Sequence, residues 1–200
     1  MAKLYFRYGA MNSGKSTALL QAAFNYEERD QRVLLAKPAI DTKTSGIISR
    51  LGVARDVDFH IAPDDDVRAL FANHRERVRS ATGDDVSCLL LDEAQFLSEE
   101  QVDQLMRIAL VDGVPVLAYG IRTDFRTKAF PGSRRLLEIA HSLEELKTIC
   151  RCGRKAMFNA RRVGERYVFD GDQVAIDGEE VTYESLCGNC YLRESEGALG

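Results

Sequence analysis

Three groups of residues in this 200-residue chain have types and spacing suited to chemistry. The first is Gly9-Ala10-Met11-Asn12-Ser13-Gly14-Lys15-Ser16, which fits Gly-x-x-x-x-Gly-Lys-Ser throughout. In that pattern the glycines let the backbone curl until its N–H groups face phosphate oxygens. The lysine reaches the β- and γ-phosphates, and the serine hydroxyl serves Mg²⁺. A glycine-rich turn with a surface lysine is the plainer alternative. The flanking residues argue against it, because an apolar strand pattern precedes the loop and an amphipathic helix pattern follows. The expected ligand is a nucleoside triphosphate.

The second group is Asp92-Glu93, placed directly after the apolar run Cys88-Leu89-Leu90-Leu91. A carboxylate at the end of such a strand reaches Mg²⁺, and a second one beside it can take a proton from an attacking hydroxyl or water. Asp92 is therefore expected on the metal side and Glu93 as general base; the alternative is two acids that cap a turn in solvent. These acids and the phosphate loop together imply nucleotide chemistry without naming the acceptor.

The third group is Cys150-x-Cys152 with Cys187-x-x-Cys190. Four thiolates close a tetrahedral structural zinc site with no open position for catalysis. Free thiols or two disulfides are the alternatives. Cys88 reads as core, and His60, His74 and His141 lack ligand spacing.

The elements that must position these groups follow from apolar periodicity. Strands are expected at Leu4 to Tyr8, Arg32 to Lys37, Cys88 to Asp92, Val114 to Tyr119 and Lys147 to Cys150, the last closing the same sheet. Helices are expected at Lys15 to Arg29, at Asp64 to Arg79, from the capping box at Ser98 to about Leu110, and around Ser133 to His141. Alternating strands and helices imply a parallel α/β sheet over residues 1–149. Residues 150–200 carry short β-like runs, Tyr167 to Phe169 and Val174 to Ile176, and are expected to form a small zinc-ribbon-like domain.

The formal net charge of −4 argues against nucleic acid as a main partner, because phosphate binding needs surplus Lys and Arg. No run approaches the roughly 20 apolar residues of a membrane span, so no membrane partner is expected. The N-terminus lacks a signal-peptide pattern. A soluble cytoplasmic protein is expected, where paired cysteines hold metal rather than disulfides.

The ordered set resembles the zinc-containing thymidine kinases of the cytosolic, or type II, class. The likeness rests on Gly9 to Thr17, on Asp92-Glu93-Ala94-Gln95-Phe96, on Thr123-Asp124-Phe125-Arg126 with Phe130, and on Tyr183-Glu184-Ser185-Leu186-Cys187 leading to Cys190. It implies a P-loop sheet of the RecA-like kind and transfer of the ATP γ-phosphoryl to the 5′-hydroxyl of thymidine, in nucleoside salvage for DNA synthesis. It gives Glu93 the role of base and extends the ATP site along Asp92, Glu93, Ala94 and Gln95. It places Met11, Phe125 and Tyr183 around the nucleoside, with Asp41 near the active site. It puts a loop closing over the base within Asn159 to Tyr183. It further implies a homotetramer and inhibition by thymidine triphosphate. Lys43 stands where relatives often carry Arg, and the Cys150-x-Cys152 spacing is one residue shorter than in many. Apart from the resemblance, Met11, Phe125, Phe130 and Tyr183 read as packing. The rival readings are a P-loop ATPase whose zinc module grips nucleic acid or protein, and a nucleotide-binding regulator without transfer activity.

Overall fold

The computed structural model describes residues 1–39, 46–173 and 181–199. Asp41, Lys43 and the run Val174 to Ile176 lie outside the described residues.

Six parallel strands form the main sheet. In chain order the elements are β1 (Leu4–Tyr8), α1 (Lys15–Glu27), β2 (Arg32–Pro38), β3 (Gly46–Ile48), β4 (Ala54–Asp56), β5 (Phe59–Ile61), α2 (Val67–Thr82), β6 (Val86–Leu91), a short 3₁₀ turn (Ala94–Phe96), α3 (Glu99–Leu110), β7 (Val116–Gly120), α4 (Pro131–Ile139) and β8 (Ser142–Glu145). The strand order is β5-β2-β6-β7-β1-β8, with every pairing parallel. The expected α/β class with a parallel sheet is what the chain adopts.

The unbroken apolar runs have a simple cause. Side chains alternate across a strand, and both faces of this sheet are covered. Leu34 and Ala36 join Leu89, Leu91, Val116 and Ala118 under α2, α3 and α4. Val33 and Leu35 join Cys88, Leu90 and Leu117 under Leu19, Leu20 and Ala23 of α1. Cys88 is thus a core residue.

Caps set the helix boundaries. α2 begins three residues later than expected, because Asp66 is its N-cap, accepting from the Ala69 N–H, while Asp65 turns back to the Ala62 N–H. Ser98 and Gln101 complete the expected capping box of α3. α4 starts at Pro131, whose fixed φ suits a first helical position, two residues before the expected start.

One expected strand is corrected. The sheet ends on β8, not on Lys147 to Cys150. Within that segment only β9 (Thr148–Ile149) is extended, and it pairs antiparallel with β10 (Lys155–Ala156). β8 is a solvent-facing edge of four residues, so it carries no apolar run to betray it. After β10 come β11 (Phe158–Val163), β12 (Arg166–Val168), β13 (Val181–Leu186) and α5 (Gly188–Glu194). The three strands form an antiparallel sheet of order β12-β11-β13. Ala156, Ala160, Leu186 and Tyr191 pack there against three of the cysteines. No helix among the described residues is long and apolar enough to cross a membrane.

Candidate active site

The phosphate loop joins the end of β1 to the start of α1. Gly14 is the residue before the helix, at φ 78°, a left-handed conformation that glycine tolerates without strain. No side chain caps α1. The first amides of a helix have no intrahelical partner, so those of α1 remain available to an anion, with the helix dipole adding positive potential. Ser13 Oγ is buried without a hydrogen-bond partner, an orphan that a phosphate oxygen would satisfy. The Lys15 ammonium donates to the Ala10 carbonyl at 3.0 Å and is only 8% exposed. Burial lowers its pKa, while the Glu93 and Asp92 charges act to raise it. The loop residues are thus arranged to take a triphosphate.

The two acids meet the loop directly. Ser16 Oγ donates to Asp92 Oδ2 at 3.0 Å, across 76 residues of sequence. Burial pushes the Asp92 carboxyl up to about 7, and the neighbouring Glu93 charge pushes the same way. A divalent cation between these two oxygens would relieve that, so the pair suits Mg²⁺. Glu93 sits at φ 52°, left-handed for a residue with a side chain. Its amide donates to Asp92 Oδ1 at 3.0 Å, and its carboxylate accepts from Gln95 Nε2. Gln95 is buried, and its Oε1 accepts from the Ile121 N–H at 3.2 Å. Glu93 is therefore held from two sides. Ala94, fully buried, lies in the turn between them.

Two of the residues expected around a nucleoside, Phe125 and Tyr183, gather on one side chain that sequence reasoning missed. Arg161 is 6% exposed. Its guanidinium lies 3.7 Å from the centre of the Phe125 ring. Its Nε donates to the Tyr183 hydroxyl at 3.2 Å, and Nη2 donates to the carbonyls of Asp172 at 2.7 Å and Gln173 at 3.3 Å. Phe125 and Tyr183 are thus brought together, with Phe125 buried rather than open. Asp124 organises the same turn, accepting from the amides of Arg126 and Lys128, both at 2.9 Å. Met11 stands apart from this group and meets β11 and β13 through its backbone. A cleft of about 360 Å³ opens beside Gln95, Phe96, Phe130 and Gln173. Phe96 and Phe130 meet edge to face at 5.6 Å within it. That volume is within the range of small-molecule sites. A signal for Arg161 was present: Arg161-Arg162 within a strand must point to opposite faces, so one of them turns inward.

The four cysteines converge as expected. The Sγ atoms of Cys150, Cys152, Cys187 and Cys190 all lie within 4.8 Å of one another, and none is in a disulfide. Thiolates about 2.3 Å from one zinc stand roughly 3.8 Å apart in a tetrahedron, so the spacing suits a metal ion. The turn from Cys150 to Arg154, closed by the Cys150 amide on the Arg154 carbonyl at 2.8 Å, accommodates the single intervening residue. The Cys190 amide holds the Cys187 thiol below the usual thiol range. None of the three histidines joins this cluster. His141 instead accepts from the Leu4 N–H at 3.1 Å, and His74 packs on the Phe59 ring.

A comparison with known proteins adds independent findings. The thymidine kinase family model matches residues 2–191. A thymidine kinase of Ruegeria pomeroyi is 48% identical over 203 residues, covering 100% of this chain and 98% of the relative. One of Idiomarina loihiensis is 49% identical, covering 94% of each. One of Legionella pneumophila is 47% identical, covering 98% of this chain and 92% of the relative. With a match of that length laid over a phosphate loop, paired strand-end acids and a four-cysteine cluster, the chain belongs to the thymidine kinase family.

Proposed function

We propose that the chain transfers the γ-phosphoryl group of ATP to the 5′-hydroxyl of thymidine, giving thymidine monophosphate and ADP. The observation that carries this reading is the convergence of Lys15, Ser16, Asp92 and Glu93 at one end of the sheet in a member of the thymidine kinase family. Glu93 accepts the proton of the 5′-hydroxyl as its oxygen bonds to the γ-phosphorus and the bond to the β-phosphate oxygen breaks. Residues Gly9, Ala10, Met11, Asn12, Ser13 and Gly14 form the cradle. The free amides of α1 and the Lys15 ammonium meet the charge on the transferring group. Such catalysis is mainly positioning and charge stabilisation. Ser16 and Asp92 would hold Mg²⁺, which supplies positive charge to the phosphate oxygens. Met11, Phe125 and Tyr183, with Asp41, would surround the nucleoside. The thiolates of Cys150, Cys152, Cys187 and Cys190 would hold one zinc in a closed, structural site, anchoring a module of residues 150–200 on a nucleotide-binding domain of residues 1–149. Assembly as a homotetramer and inhibition by thymidine triphosphate are supported by the resemblance of the motifs.

The test is to incubate the protein with γ-labelled ATP and a panel of nucleosides. Label is expected on thymidine. Hydrolysis of ATP that DNA stimulates, with no nucleoside labelled, would replace this reading with that of a nucleic-acid-dependent ATPase. ATP binding without either reaction would leave a regulator.

A further inference from the structure

The phosphate loop is gripped from behind by the antiparallel sheet, and the grip is concentrated on one residue. Asn159 of β11 and Ser185 of β13 are directly opposite in the β-ladder. Both are nearly buried, at 3% and 6% exposure. Asn159 Oδ1 accepts from the Met11 N–H at 2.7 Å, and Ser185 Oγ donates to the Met11 carbonyl. One cross-strand pair therefore takes up both backbone polar groups of a residue inside the cradle. Thr148 Oγ1 adds a bond to the Asn12 carbonyl at 3.3 Å. The other half of the Asn159 amide is used as well: Nδ2 donates to the Thr123 carbonyl at 3.0 Å. Thr123 leads into Asp124 and Phe125. A single buried side chain thus links the phosphate loop to the segment expected at the nucleoside.

The chemistry of this link is specific. Asn159 must accept at one end and donate at the other, and a flipped amide would set donor against donor and acceptor against acceptor. An unmade bond here leaves buried backbone groups unsatisfied. The link is also well placed to report on the nucleoside side. β13 runs from Val181 through Tyr183 and Ser185 to Leu186, directly before Cys187 of the four-cysteine cluster, while Tyr183 meets Arg161.

We propose that Asn159, with Ser185 as its partner, is a positioning pair that couples nucleoside binding to the phosphate loop. Whichever substrate arrives first then orders the site of the second. This rests on the reading that ATP occupies the cradle and thymidine the Phe125 side. The pair touches no reacting atom and acts through the Met11 backbone.

Calorimetry with thymidine and the non-hydrolysable analogue AMP-PNP with Mg²⁺ tests it. In the unaltered protein each ligand is expected to tighten the other by about fivefold or more, the lower end of coupling between sites. In Asn159→Ala and in Ser185→Ala that factor is expected to fall towards one, with zinc content unchanged. Asn159→Asp keeps the shape and the acceptor for Met11 but turns a second oxygen on the Thr123 carbonyl, so it is expected to lose coupling too. If Asn159→Ala does not fold, Asn159→Asp and Ser185→Ala carry the test. A merely structural clasp would lower thermal stability and leave the mutual tightening intact; that result, or no tightening in the unaltered protein, overturns the proposal. Thymidine phosphorylation by the unaltered protein is measured first. Its absence would sink the functional reading, whereas turnover with undiminished coupling in the variants would sink only the positioning pair.

Discussion

Glu93 carries a left-handed backbone that few residues with side chains adopt. The conformation is held by its own neighbours: Asp92 takes its amide, and Gln95 takes its carboxylate. Such strain persists where surrounding contacts over-determine it. Replacing it isolates the chemistry. Glu93→Gln is expected to leave ATP and thymidine affinities largely unchanged and to lower kcat by about a hundredfold or more, as for loss of a general base. Steady-state kinetics beside equilibrium binding checks this, and near-normal kcat would remove Glu93 from the mechanism. At this scale legibility follows sequence distance. The phosphate loop, the paired acids and the paired cysteines could be read because their chemistry lies in consecutive or nearly consecutive residues. Asn159 could not, because what makes it matter is partners 148 and 36 residues away; the Arg161-Arg162 pair signalled an inward arginine, but not the ring in another segment that it meets.

Two close approaches decide how the elements hold the site. Gly132, in the first turn of α4, lies against the turn that carries Gln95. A Cβ there would stand 2.5 Å from the Ala94 carbonyl oxygen and 2.7 Å from that of Leu97. Backbone cannot retreat as a flexible side chain can, so Gly132→Ala is expected to cost about 1–3 kcal/mol, the usual range for overpacking. Thermal unfolding should register it as a drop of several degrees, and an unchanged midpoint would contradict the packing described. The second approach is electrostatic. Hydrogen bonds from Arg75 and Arg79 of α2 hold the Asp85 carboxyl well below the usual carboxylate range, just before β6. A depressed pKa in the folded state contributes stability above the ordinary aspartate pKa of about 4, and that contribution is lost as pH falls. Asp85 and Arg79 are solvent-exposed, though Arg75 is largely covered, so screening limits the contribution to roughly 0.5–1 kcal/mol. Asp85→Asn is expected to lower the unfolding midpoint by about 1–3 °C at pH 7, with the gap closing towards pH 2. A gap that persists in acid would assign the effect to something other than charge. Elements that bury a face were legible, as Leu34 and Leu35 illustrate by serving opposite cores. β8 and the hairpin of β3 with β4 were not. They are short, and only their partners make them strands.

At the scale of the molecule, the three-layer sheet and the cysteine module depend on each other unequally. The sheet has two apolar cores of its own, whereas the module has a single small cluster built partly of the cysteines. A unit with so little apolar area would draw stability from a metal held by its four cysteines. Metal analysis is expected to find about one zinc per chain, as for a closed site. Cys190→Ser is expected to abolish that content and lower the unfolding midpoint, and full activity in zinc-free protein would contradict it. The convergence of the four cysteines could be anticipated from their spacing, but the contact of β11 and β13 with the phosphate loop could not. Nothing in the spacing says that β11 and β13 would press against the phosphate loop.

That attachment bears on how the protein is made. Met11 is synthesised well before its two backbone partners, which lie 148 and 174 residues further on. Contacts so distant in sequence form late in folding. The phosphate loop therefore leaves the ribosome long before the residues that complete its backbone bonding. A message interrupted before Asn159 yields a chain with every residue of the phosphate loop and neither side-chain bond to the Met11 backbone.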